Sequence, residues 1–179
     1  MVKRTRGGLA LDLLVGLMAL TALTFVVRER VVPWIEDRSV VDPGEFVRDR
    51  LSLEDASTGD SIPWHPGAPT LLVVFRSTCP ACERAVPTWV ELTSAGMWQT
   101  TAVGLEPAED AARYAGTHLP LARAAVPRDI DAFVKRFRIR VVPTTLVIDR
   151  EGRLAARHAG PLEASDVQEL RRLVAPSNP

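Results

Sequence analysis

Residues 70–87 read TLLVVFRSTCPACERAVP, and this stretch decides the fold. Its first six residues are almost wholly apolar, as expected for a strand buried on both faces of a sheet. After a polar break, apolar residues recur at helical spacing, at Val86, Trp89, Val90 and Leu92, with Gly96 as a stop. The only cysteines of the chain, Cys79 and Cys82, sit at this junction. Where a strand ends and a helix begins, a thiolate on Cys79 receives free backbone N–H groups and the positive end of the helix dipole. Such placement lowers a cysteine pKa to roughly 3.5–7.5. Pro80 fits the first helical position, where its missing N–H costs nothing. Cys82 lies one turn further on, close enough to attack a mixed disulfide on Cys79. The pair is placed to cycle.

Two other uses of the pair stand beside redox chemistry. A structural staple closing so short a loop would contribute only about 2 kcal/mol. Half of a metal site is the other, but structural zinc wants four ligands and there is no second cysteine pair. His65, His118 and His158 are scattered along the sequence and would have to converge to help. Copper transfer by a tethered carrier is the form in which a metal reading survives.

Outward from the motif, strands and helices alternate. LSLEDASTGDSIPW (51–64) suggests a hairpin around Ser57-Thr58-Gly59-Asp60. TTAVGL (100–105) reads as a second buried strand. PAEDAARYAG (107–116) opens with proline and acids and closes on glycine, which predicts a helix. RDIDAFVKRF (128–137) carries Ile130, Phe133, Val134 and Phe137 on one stripe. TTLVID (144–149) and RLAARHAG (153–160) flank a turn at Arg150-Glu151-Gly152. The last helix, EASDVQELRRLVA (163–175), is expected to face Val167, Leu170, Leu173 and Val174 inward. This order predicts an α/β domain whose closing hairpin adds antiparallel strands.

The N-terminus is different in kind. Residues 9–27 carry a single charge, Asp12, and follow Lys3, Arg4 and Arg6. About 20 apolar residues span a bilayer core. Eleven Leu, Val or Phe side chains contribute about −3 to −7 kcal/mol to insertion, and Asp12, one turn from the end, costs less than the roughly +3 of a central acid. The run ends in Phe25-Val26-Val27 before Arg28, without the small residues of a cleavage site. The expectation is a basic tail (1–8), a transmembrane anchor (9–27), a stalk (28–44), a folded domain (45–174) and a tail (175–179). The 179 residues carry 22 Lys and Arg against 22 Asp and Glu, for zero formal charge. That removes any bulk electrostatic case for nucleic-acid binding.

FRSTCPACERAVP (75–87) together with IRVVPTTLVIDREGRL (139–154) resembles the thioredoxin fold, specifically the membrane-anchored redoxins of the TlpA/ResA/DsbE type. The resemblance covers about residues 45–174 and rests on Cys-x-x-Cys, on Pro87 five residues after the second cysteine, and on VPTTLVID ahead of a glycine turn. It implies a central mixed sheet flanked by helices, with an insertion near residues 105–128. It also implies a thiol:disulfide oxidoreductase held on the extracytoplasmic face of the membrane, with Cys79 as nucleophile and Cys82 as resolving thiol. Protein thiols or disulfides would be its substrates, as in cytochrome c maturation, and a membrane redox protein its electron partner. No cofactor or metal is implied. Pro143 would be cis and face the pair, and with Val142 and Thr78 would form the platform for an extended substrate. Three positions depart from the pattern. Thr78 replaces a tryptophan, Val73 replaces a buried aspartate, and Ala85 replaces a glutamate found in some anchored members. No base for Cys82 is then identifiable, since Glu83 reads as an exposed acid in the first helical turn.

Overall fold

The computed structural model describes residues 6–26, 41–47, 50–64 and 67–174. It divides into two compact units, residues 1–40 and 41–179. In the first, helix α1 (Arg6–Val26) presents Val15, Leu17, Met18, Leu20, Leu23 and Phe25 as exposed side chains. Among the described residues no helix is long and apolar enough to cross a membrane. The side chains of α1 are described only from residue 15 to residue 25, and Val27 lies outside the described residues. Helix α1 covers residues 9–26 of the segment expected to span the membrane.

The second unit begins at Val41, four residues before the expected start of the domain. Val41 is fully buried, and its N–H donates to the Arg136 carbonyl at 2.8 Å. The elements that follow are β1 (Leu53–Asp55), β2 (Thr70–Phe75), α2 (Pro80–Ser94), β3 (Gln99–Gly104) and α3 (Ala108–His118), then β4 (Arg123–Pro127), α4 (Ile130–Arg136), β5 (Thr144–Ile148), β6 (Leu154–Ala159) and α5 (Ala164–Val174). The strands form one mixed sheet in the order β1-β4-β3-β2-β5-β6. β2, β3 and β4 run parallel, while β1, β5 and β6 are antiparallel to their neighbours.

Strand β2 divides its side chains between two cores, as a period of two demands. Leu71, Val73 and Phe75 pack with Cys82, Ala85, Trp89, Tyr114, Val167 and Leu170 from α2, α3 and α5. Leu72 and Val74 pack on the other face with Phe133, Phe137, Leu146 and Ile148. Helix α4 is capped by Asp129, whose side chain accepts from the Ala132 N–H at 2.9 Å.

Several expectations need correction. In α2 the buried positions are Cys82, Ala85, Trp89, Leu92 and Thr93, and Val90 is turned to solvent. Leu173 is likewise 44% exposed, one position off the stripe that buries Val167 and Leu170. Gly116 does not end α3, because it lies on the exposed face with open space around it. The second arm of the expected hairpin reduces to a bridge between Glu54 and Ser61, and β1 pairs instead with β4.

Gly104, by contrast, is required where it stands. A Cβ there would collide with the Ala111 side chain, because the end of β3 passes tightly against α3. Gly104→Ala is expected to destabilise the domain by about 1–3 kcal/mol. A urea midpoint unchanged from the parent would show that this crossing is loose.

Candidate redox site

Cys79 is the N-cap residue of α2, with extended backbone (φ −94°, ψ 111°), and Pro80 occupies the first helical position. The residues before it form a turn closed by the Cys79 N–H donating to the Arg76 carbonyl at 3.1 Å. Both cysteines are free thiols, Cys79 half-buried and Cys82 buried. Cys82 sits inside the core against the underside of β2, where Val73 occupies the place of the missing aspartate.

The two thiols are driven apart electrostatically. Burial pushes the Cys82 thiol up to about 12, and hydrogen bonding to Cys79, the Cys79 charge and the Glu106 charge act in the same direction. For Cys79, burial also opposes ionisation. It is outweighed by hydrogen bonds from the Cys82 thiol and from the Cys82 and Ala81 backbone, with help from the Arg84 charge, so its pKa falls below the ordinary thiol value. The nucleophilic thiolate thus belongs to the outer residue. This is the helix-terminus effect expected from the sequence, joined by a donor from the second cysteine.

The segment after α4 closes the site. The Val142–Pro143 peptide is cis. The Cys79 thiol donates to the Val142 carbonyl at 3.5 Å. The Pro143 carbonyl accepts from the Gly160 N–H at 2.7 Å, and the Val141 carbonyl accepts from the Thr144 hydroxyl at 2.6 Å, which pins this segment to β6 and β5. Pro143 is buried, Val142 half-buried, and Thr78 and Val141 exposed at the rim. Cys79, Cys82 and Val142 are therefore brought together, with Pro143 behind them and Thr78 beside them.

Glu83 is exposed, as its place in the first turn of α2 predicts. The His118 ring lies tilted against Tyr114 at a centroid distance of 4.5 Å, and His158 pairs with Asp166 at 3.6 Å. His65 and Trp34 lie outside the described residues. Among the described residues no three His, Cys, Asp or Glu side chains are grouped to hold a metal ion. The residue that sequence reasoning missed is Glu106, whose carboxylate reaches the turn before Cys79. Its only signal was its place just past the end of a parallel strand, where sites of open α/β sheets form.

The fold is thioredoxin-like. A thio-disulfide isomerase from Thermus thermophilus is similar at 23% identity and a TM-score of 0.55, over 69% of this chain and 90% of its own. StoA from Bacillus subtilis is similar at 19% identity and a TM-score of 0.52, over 66% of this chain and 93% of its own. A thioredoxin-family thiol:disulfide interchange protein from Chlorobium tepidum gives 17% identity and a TM-score of 0.55, over 68% of this chain and 90% of its own. No family model matches the chain, and no curated protein sequence matches it either.

Proposed function

We propose that this chain is a thiol:disulfide oxidoreductase, tethered to the membrane by residues 9–27, whose Cys79–Cys82 pair acts on protein thiols and disulfides outside the cytoplasm. One observation carries the catalytic part. A half-buried Cys79 with a lowered pKa stands at the start of a helix, beside a buried, protonated Cys82 and the Val142 carbonyl. In the reductive direction the Cys79 thiolate attacks a substrate disulfide. One substrate sulfur bonds to Cys79, and the other leaves as a thiolate that takes a proton. Cys82 then loses its proton and attacks the Cys79 sulfur, which releases the second substrate thiol. Two electrons pass to the substrate and the protein disulfide forms. A dithiol on a membrane redox partner restores the pair by the reverse exchange.

Thr78 and Val142 form the rim on which an extended substrate lies, and the buried Pro143 backs it. The reductive sense, with apocytochrome or other envelope thiols as substrates, follows the TlpA/ResA/DsbE resemblance. Cys-x-x-Cys proteins span about −270 to −120 mV, close to 7 kcal/mol for two electrons, so equilibration with glutathione measures the direction. Tethering is supported by the apolar composition of residues 9–27 and by the exposed apolar side chains of α1.

Two experiments test the reading. Full-length protein in detergent should accelerate the reduction of insulin by dithiothreitol, and no acceleration would refute the oxidoreductase. An alkaline phosphatase fusion after Pro179 should be active, whereas an expressed but inactive fusion would place the domain on the cytoplasmic side.

A further inference from the structure

Glu106 and Ser77 meet because of strand register. β2 and β3 run parallel with Phe75 opposite Gly104, so Ser77 and Glu106 each lie two residues past a matched pair. There the Ser77 N–H donates to the Glu106 carboxylate, at 2.9 Å to Oε1 and 3.1 Å to Oε2. The Ser77 hydroxyl donates to Oε2 at 2.7 Å. Bonds to a carboxylate are about twice as strong as those between neutral groups. Ser77 is also the second residue of the turn that ends at Cys79. The turn that delivers the nucleophile is thus fastened to the neighbouring strand by one acidic side chain.

We propose that Glu106 is a positioning residue of the redox pair: through Ser77 it fixes the turn that carries Cys79, and its carboxylate, held there, adds a negative charge on the side of Cys82 to the effect of burial. The functional meaning rests on the oxidoreductase reading above. Other charged or titratable groups near the pair do not supply this charge. Arg84, on α2, acts on Cys79 with the opposite sign. Tyr114, on α3, is pushed up to about 12 by burial and stays neutral at working pH. Glu83 and Arg76 are exposed. The Glu106 charge raises the Cys82 pKa in the same direction as burial, the larger cause.

The test uses the full-length chain and reads each thiol separately by mass spectrometry after iodoacetamide labelling between pH 5 and 11. In Glu106→Gln, which removes the charge and keeps an acceptor, Cys82 labelling between pH 8 and 10 should rise at least about threefold. The equilibrium with glutathione at pH 7 should stay near that of the parent, because Cys82 is protonated there with or without the Glu106 charge. Ser77→Ala removes one bond but not the charge, and should leave the Cys82 profile as in the parent. Glu106→Asp, with its charge drawn back, should fall between, and becomes the deciding variant if the glutamine form does not fold. Parent-like labelling in Glu106→Gln, or in Glu106→Asp when it decides, would overturn the proposal. A Ser77→Ala profile matching Glu106→Gln would overturn the role of the charge and leave the fastening of the turn as the whole effect. If the parent pair does not equilibrate with glutathione, the oxidoreductase reading fails, while the labelling profiles still decide the role of Glu106.

Discussion

Cys82→Ser is expected to accumulate covalent complexes with partner proteins, separable only under reducing conditions, while Cys79→Ser accumulates none and has no activity. The outer thiol alone has the exposure and the lowered pKa to open a substrate disulfide. Serine at position 82 cannot then displace the bound substrate, so the mixed disulfide persists. The same asymmetry predicts the order of alkylation. With the Cys82 thiol held at about 12, roughly one molecule in ten thousand carries its thiolate at pH 8. Burial of that sulfur slows its reaction further. Iodoacetamide at pH 6–8 should therefore label Cys79 at least about a hundredfold faster than Cys82. If Cys82 labels first, or if Cys79→Ser traps the partners, the assignment of the nucleophile from the helix terminus is wrong.

That assignment was legible because its cause is local. A thiol at the start of a helix, after an apolar strand, is visible in eighteen consecutive residues, 70–87, and the observed β2 matches TLLVVF residue for residue. The closing unit was legible for the same reason, since VPTTLVID and a glycine turn mark β5 and β6 directly. What the sequence hid depends on pairing between distant segments. Glu106 acquires a role only because the β2–β3 register sets it beside Ser77, and one acid after a strand has no period to betray it. β4, read as RAAVP, is too rich in alanine to announce itself as a strand, and it forms by lying parallel to β3. Val90 and Leu173 were misjudged because apolar spacing fixes a stripe only to within about one residue, about 100° around a helix.

The most severe loss of stability is expected from Trp89→Ala. Trp89 is 1% exposed, on the inner face of α2 and in the same core as Cys82, Val73 and Phe75. Its indole N–H donates to the Thr145 hydroxyl at 3.1 Å, and Thr145 is itself fully buried in β5, two residues after Pro143. One side chain therefore joins the helix that carries both cysteines to the strand that follows the cis peptide. Truncating a buried tryptophan costs about 3–5 kcal/mol, a large part of the 5–15 kcal/mol by which domains are typically stable. Trp89→Phe keeps most of the apolar volume but deprives the buried Thr145 hydroxyl of its donor, and should cost about 1–3 kcal/mol. Leu173→Ala, at the exposed position on α5, should stay within about 0.5 kcal/mol. Urea denaturation of the three variants in the reduced state measures this ordering. Because the same side chain sets α2 against β5, Trp89→Phe should also slow insulin reduction while Cys79 alkylation at pH 7 stays near the parent rate. A Trp89→Ala protein within 1 kcal/mol of the parent would mean that the redox helix is held to β5 by something other than this contact.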